Sequence, residues 1–205
     1  MTSTTTVWLV RHGNVHNPKK IIYGRRPRFQ LSERGLAEAR AAGRLLNGMR
    51  VDAVYCSPLL RTRQTAEEIL AFHPELTLRQ SRDLIEILNA FEGRPSAEAD
   101  ARQGDVYTGV GPPYEQPQDI VRRTLKFFRL ARRRHPGGSV AGVTHGDVII
   151  FAMLWARGLA LTPQNKANLH AIGFADGYPS TGSLTAFIFR TDSENELPEV
   201  RYLKP

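Results

Sequence analysis

The chain has 205 residues, 41% hydrophobic and 23% charged, the balance of an ordinary globular protein rather than a membrane-embedded or disordered one. No apolar run approaches the roughly 18–20 residues that cross a bilayer. Met1–Thr6 lacks the basic and apolar regions of a signal peptide, and the lone cysteine, Cys56, excludes an internal disulfide framework and suits a reducing cytoplasm. The net charge of +8 admits an anionic small molecule or a nucleic acid as partner.

Thr6–Arg11 reads as a first strand, a short apolar run that stops at His12-Gly13. A loop rich in Asn, Pro, Gly and Arg follows to Gln30, with Arg25, Arg26 and Arg28 near enough to the strand end to meet an anion. Ser32 is positioned as the N-cap of a helix over Leu36–Leu46, which Asn47-Gly48 ends. Val51–Cys56 reads as a second strand carrying Cys56 as a buried small hydrophobe. Ser57-Pro58 breaks it, and Leu59–Phe72 is helical. Leu76–Leu78 is a short strand candidate.

Residues 93–117 form an inserted loop region, with four of the thirteen prolines, four glycines and a short helix at Ala97–Arg102. Gln118–His135 is a basic helix. Its mixture of arginines with Ile120, Val121, Leu125 and Phe128 is that of an amphipathic helix with a solvated cationic face. No nucleic-acid-binding signature accompanies it, so nucleic acid is not favoured as a partner. Ser139–Thr144 is another strand, ending at His145-Gly146, and Asp147–Leu159 a further helix. Ala171–Phe174 and Ser183–Arg190 read as late strands, with Gly182 turning between them. The alternation predicts a single α/β domain over residues 1–205, with a mostly parallel central sheet flanked by helices on both faces.

Two strands that both end in His-Gly carry the strongest functional signal. Ligands of open α/β sheets sit outside the carboxyl ends of the strands, so His12 and His145 are able to face one ligand. A neutral imidazole can accept a phosphoryl group, and arginines compensate charge on the phosphoryl oxygens. Arg11 abuts His12, and Arg61 opens the helix after the second strand, where helix N-termini favour anions. His12 and His16 have a spacing that would suit metal ligation on a helix. Gly13 and Pro18 argue for a loop instead, and no His-Glu-x-x-His pattern is present, so neither metal nor cofactor is expected.

Arg11-His12-Gly13, Leu31-Ser32-Glu33-Arg34-Gly35, the Ser57-Pro58-x-x-Arg61-x-x-Gln64-Thr65-Ala66 stretch and Thr144-His145-Gly146 together resemble the histidine phosphatase superfamily, also called phosphoglycerate-mutase-like. The resemblance spans residues 7 to about 147. It implies that His12 becomes phosphohistidine and that Arg11, Arg61 and His145 clamp the phosphoryl oxygens, beside Gly146. It implies that Glu86 protonates the leaving oxygen and later activates water. The family's Asn lies six residues after the nucleophile; here that position is Pro18, and Asn17, one residue early, is the candidate phosphate ligand. Asn89-Ala90-Phe91-Glu92-Gly93 is one residue shorter than the family's Gly then Trp-Glu-Gly, which leaves Glu92 as an alternative acid.

The implied activity is a phosphomonoesterase acting on a small phosphorylated metabolite. A mutase that returns the phosphoryl group to substrate is the alternative; a basic nucleic-acid-binding module or an inactive scaffold of the same fold is a further one. The length and the short 93–117 region favour the phosphatase. The loop arginines 25, 26 and 28 and the Tyr107–Tyr114 segment are candidates for substrate selection.

Overall fold

A computed structural model describes residues 4–172 and 177–205. Its centre is a six-stranded sheet built from β1 (Thr5–Arg11), β2 (Ala53–Cys56), β3 (Leu78–Gln80), β4 (Ser139–Thr144), β5 (Leu184–Phe189) and β6 (Glu199–Leu203), in the order β3-β2-β4-β1-β5-β6. The pairs β3/β2, β2/β4 and β4/β1 are parallel, whereas β1/β5 and β5/β6 are antiparallel. The sheet is therefore mixed, with the parallel part where the two His-Gly strands lie side by side.

Alternation along the strands sends side chains to both faces. Val7 and Leu9 of β1 and Val140 of β4 join one core with α4 (Pro117–Arg134) and α5 (Gly146–Ala156). Val10 of β1 and Ala141 and Val143 of β4 join the other core with α1 (Glu33–Asn47) and α2 (Leu60–Leu70). Helices thus cover both faces, as the sequence pattern predicts. The N-cap of α1 is Ser32, whose hydroxyl accepts from the Gly35 N–H. Almost every residue of α5 is buried, from Val148 to Leu154, which explains why it carries no polar face. α4 buries Ile120, Val121, Thr124, Phe127, Phe128 and Ala131 on one stripe, so its arginines occupy the opposite side.

Two short helices complete the elements used below, α3 (Ser96–Asp100) and α6 (Pro163–Ala167). Two expectations need correction, and one strand was not expected. Ala171 and Ile172 belong to a 3₁₀ turn, Leu169–Ile172, and not to a strand; the rest of the Ala171–Phe174 candidate lies outside the described residues. β3 begins at Leu78, two residues later than expected, because its register aligns Leu78 with Val54 of β2. β6 had no counterpart in the sequence reading.

Candidate active site

Parallel register brings the chemistry together. Arg11 pairs with Thr144 and Cys56 with Val143, so three strands end at one level. Beyond that level the His12 N–H donates to Thr144 O (3.0 Å) and the Ser57 N–H to Val143 O (2.9 Å). His12, His145 and the start of α2 consequently share one sheet edge. Gly13 donates to Thr65 Oγ1 at 3.1 Å, which ties the end of β1 to α2. A Cβ on Gly13 would stand 2.2 Å from Gly35 O, and one on Gly35 2.0 Å from Asn14 O; the two backbones are in contact and only glycine fits at either position.

His12 is buried, with Nδ1 2.8 Å from Gly13 O. A carbonyl only accepts, so Nδ1 carries the proton and Nε2 the lone pair. Arg61 Nε donates to that Nε2 at 3.2 Å. Burial first, then Arg61 and Arg11, hold the His12 pKa well below the ordinary 6.5, keeping the ring neutral near neutral pH. Arg61 is wholly buried at the start of α2. Its Nη2 donates to Gly24 O (2.8 Å), faces His145 Nδ1 (3.2 Å) and reaches Glu86 Oε2 (3.5 Å). The Tyr23 ring lies under this guanidinium, 4.7 Å away. With Nδ1 accepting from Arg61, His145 Nε2 is the N–H that donates to Ser57 Oγ at 2.9 Å. Burial, Arg61 and His12 lower the His145 pKa well below 6.5.

Glu86 lies between these groups, with Oε1 accepting from the Ile87 N–H at 3.0 Å and Oε2 3.4 Å from His145 Nδ1. Burial raises its pKa above 4.5; Arg61 opposes the rise and Asp147 adds to it. Desolvation outweighs the neighbouring arginine.

Arg11 places its guanidinium 4.8 Å from the Tyr178 ring and donates to Pro179 O. Gly146 opens α5 directly beneath Tyr178, where a Cβ would meet the ring at 2.3 Å. Among the described residues, Arg11 Nε and Arg61 Nη1 are buried without an acceptor. Asp147, Lys166 and Tyr178 were not singled out from sequence; Tyr107 was, as the first residue of the Tyr107–Tyr114 segment. The Asp147 carboxylate accepts from Tyr107 OH (2.5 Å), Lys166 Nζ (2.6 Å) and Tyr178 OH (2.6 Å). Burial pushes its pKa up, but Lys166 and the three hydrogen bonds carry it below 3.8.

Other candidates sit differently. Asn17 borders the cavity, yet its amide closes a turn: Nδ2 donates to Ile21 O (2.9 Å) and Oδ1 accepts from the Ile21 N–H (3.3 Å). Glu92 accepts from the Arg25 N–H at 2.7 Å and does not border the cavity. Arg25 is a strut, donating to Glu86 O (2.6 Å) and pairing with Glu115 (2.7 Å). Arg26 packs toward Gly93 and Arg28 is exposed; none of the three loop arginines lines the cavity. Of the Tyr107–Tyr114 segment, Tyr107 is buried against Asp147. The cavity itself measures about 580 Å³ and is bordered at one end by Arg11, His12, Glu86 and Gly146.

His12, Glu86 and His145 offer ligand atoms within 4.8 Å of one another, a spacing a metal ion could use. The donor set fits a metal poorly. The imidazole lone pairs at His12 Nε2 and His145 Nδ1 already face the Arg61 guanidinium, a fixed cation in contact with all three residues.

The family model for the histidine phosphatase superfamily (branch 1) matches residues 7–179. The chain is 39% identical over 152 residues to the uncharacterized protein Rv0525 of Mycobacterium tuberculosis, covering 71% of this chain and 75% of that one. It is 34% identical over 128 residues to the fructose-2,6-bisphosphatase TIGAR of Bos taurus, covering 58% of this chain and 47% of the relative. Its fold superposes on mycobacterial glucosyl-3-phosphoglycerate phosphatase Rv2419c with a TM-score of 0.75, at 22% identity and 97% coverage of both chains.

Proposed function

The chain belongs to the histidine phosphatase superfamily, branch 1, and we propose that it is a single-domain cytoplasmic phosphomonoesterase working through phosphohistidine at His12. The observation that carries this reading is the tautomer of His12. Gly13 O holds the proton on Nδ1, and the unprotonated Nε2 points to the cationic cluster.

Nε2 attacks phosphorus, a P–N bond forms and the ester P–O bond breaks. The leaving oxygen takes its electron pair and a proton from Glu86, whose raised pKa keeps a carboxylic acid available. Arg61 and Arg11 turn their unpaired N–H groups to the phosphoryl oxygens, with His145 beside them. The Glu86 carboxylate then accepts a proton from water as the water oxygen attacks phosphorus. The P–N bond breaks, and inorganic phosphate leaves with His12 neutral again. No step calls on a metal ion.

The test is release of inorganic phosphate from p-nitrophenyl phosphate with a chelator present. Activity that vanishes with chelator and returns with a divalent ion overturns the metal-independent mechanism. Interconversion of 2- and 3-phosphoglycerate without phosphate release would assign the mutase reaction instead.

A further inference from the structure

The charges that line the cavity are unevenly distributed. At the phosphate end stand Arg11 and, beneath it, Arg61. Away from that end the described lining carries one cation, Lys166, and two carboxylates, Asp147 and Asp100. The cation is already answered. Lys166 is 7% exposed; its Nζ donates to Asp147 Oδ2 at 2.6 Å and to Gly104 O at 2.8 Å, which commits two of its three N–H groups. Asp100, at the end of α3, is exposed at the mouth and has no ion pair among the described residues. Among the described residues, the lining beyond the phosphate end therefore carries a net charge of −1. Its remaining wall is apolar or neutral, with Ile21, Ile22, Ile87, Val106, Leu169 and Asn89. At about 580 Å³ the space accepts an organic body well beyond a phosphate group.

We infer that the substrate carries a single phosphate on a body with no second anionic group, and that Asp100 with the Asp147–Lys166 pair selects it. This rests on the phosphatase reading above. A second phosphate or carboxylate would enter a negative field and meet a lysine whose charge is already balanced. A hydroxyl or carbonyl oxygen meets no such opposition and finds the Asn89 side chain and an apolar wall.

The experiment compares matched pairs differing in one anionic group: glucose 6-phosphate with 6-phosphogluconate, and fructose 6-phosphate with fructose 1,6-bisphosphate. The expected kcat/KM is higher by about tenfold or more for the first member of each pair at low salt, and the gap narrows as salt screens it. Asp100→Lys should shrink the ratio within each pair by about three- to tenfold. Equal or faster turnover of the doubly anionic members, with p-nitrophenyl phosphate hydrolysed, overturns the inference and leaves the phosphatase reading standing. If no phosphomonoester is hydrolysed, the phosphatase reading falls. Calorimetric binding of the same pairs then decides the inference, and tighter binding of the doubly anionic members overturns it.

Discussion

Arg61 Nε donates to His12 Nε2 across 3.2 Å, so the buried guanidinium rests on the lone pair proposed to attack phosphorus. The contact keeps that nitrogen unprotonated, and in the proposed mechanism it gives way to a phosphoryl oxygen. Arg61→Ala removes charge compensation whichever group departs. Single-turnover phosphorylation should slow by about 10²–10³-fold, and by similar factors for alkyl and aryl phosphates. A penalty confined to alkyl substrates would contradict this role.

His12→Ala should abolish turnover and the covalent phosphoenzyme, since the neighbouring His145 has its Nε2 proton engaged with Ser57 and its Nδ1 facing Arg61. Labelling quenched in alkali, where phosphohistidine survives, checks this. Label persisting in the variant would move the nucleophile elsewhere.

Glu86→Gln keeps the shape but cannot exchange a proton. Alkyl phosphates should react about 10²–10⁴-fold more slowly, the range of general acid catalysis, and activated aryl phosphates should lose less. Equal losses would remove the acid role.

The two pKa directions set the pH profile. Because the Glu86 pKa is raised, the acid form lasts to higher pH than an ordinary carboxyl at 4.5, and the rate falls above it. Because the His12 pKa is lowered well below 6.5, the nucleophile stays neutral on the acid side, and the rate falls only at lower pH. In kcat/KM measured against pH, the rising limb belongs to His12 and should be lost only below the usual histidine range. A rising limb at or above 6.5 would refute the neutral-histidine assignment.

Asp147→Asn leaves Lys166 in a buried position without its counter-charge. Removing one partner of a buried pair costs about 3 kcal/mol or more, which urea denaturation would register. The wild-type contribution has a defined pH window. The folded pKa of Asp147 lies below 3.8, so its stabilisation is fully present above that value and is lost as pH falls through the depressed one. Unchanged stability in the variant would refute the Asp147–Lys166 pair as a buried support of the fold.

The parts legible in the sequence were those with local causes. β1 and β4 announced themselves as apolar runs stopped by His-Gly, and Ser32 marked the start of α1. His12, Arg61, Glu86 and His145 could be proposed because each sits in a motif, and the structure brings all four into contact range. β6 was missed because Glu199-Val-Arg-Tyr-Leu is an edge strand with exposed Glu199 and Arg201, too short for its alternation to stand out. Asp147 and Lys166 were missed for a different reason. Their meaning lies in a pairing across 19 positions, between the first turn of an otherwise apolar helix and a polar five-residue helix. The loop arginines misled through proximity in sequence, since Arg25 points away from the cavity to Glu115. Whether Glu86 would be acidic or not depended on depth of burial, which periodicity does not measure.

The unpaired N–H groups of Arg61 and Arg11 have a consequence outside catalysis. Leaving charged donors buried without an acceptor is costly, and any oxyanion that binds them relieves that cost only in the folded chain. The fold is thereby its own ligand reporter: its melting temperature should climb with inorganic phosphate, vanadate or a bound ester. His12→Ala retains both arginines, so a silent enzyme would still announce by its melting point which phosphorylated compound it was built to hold.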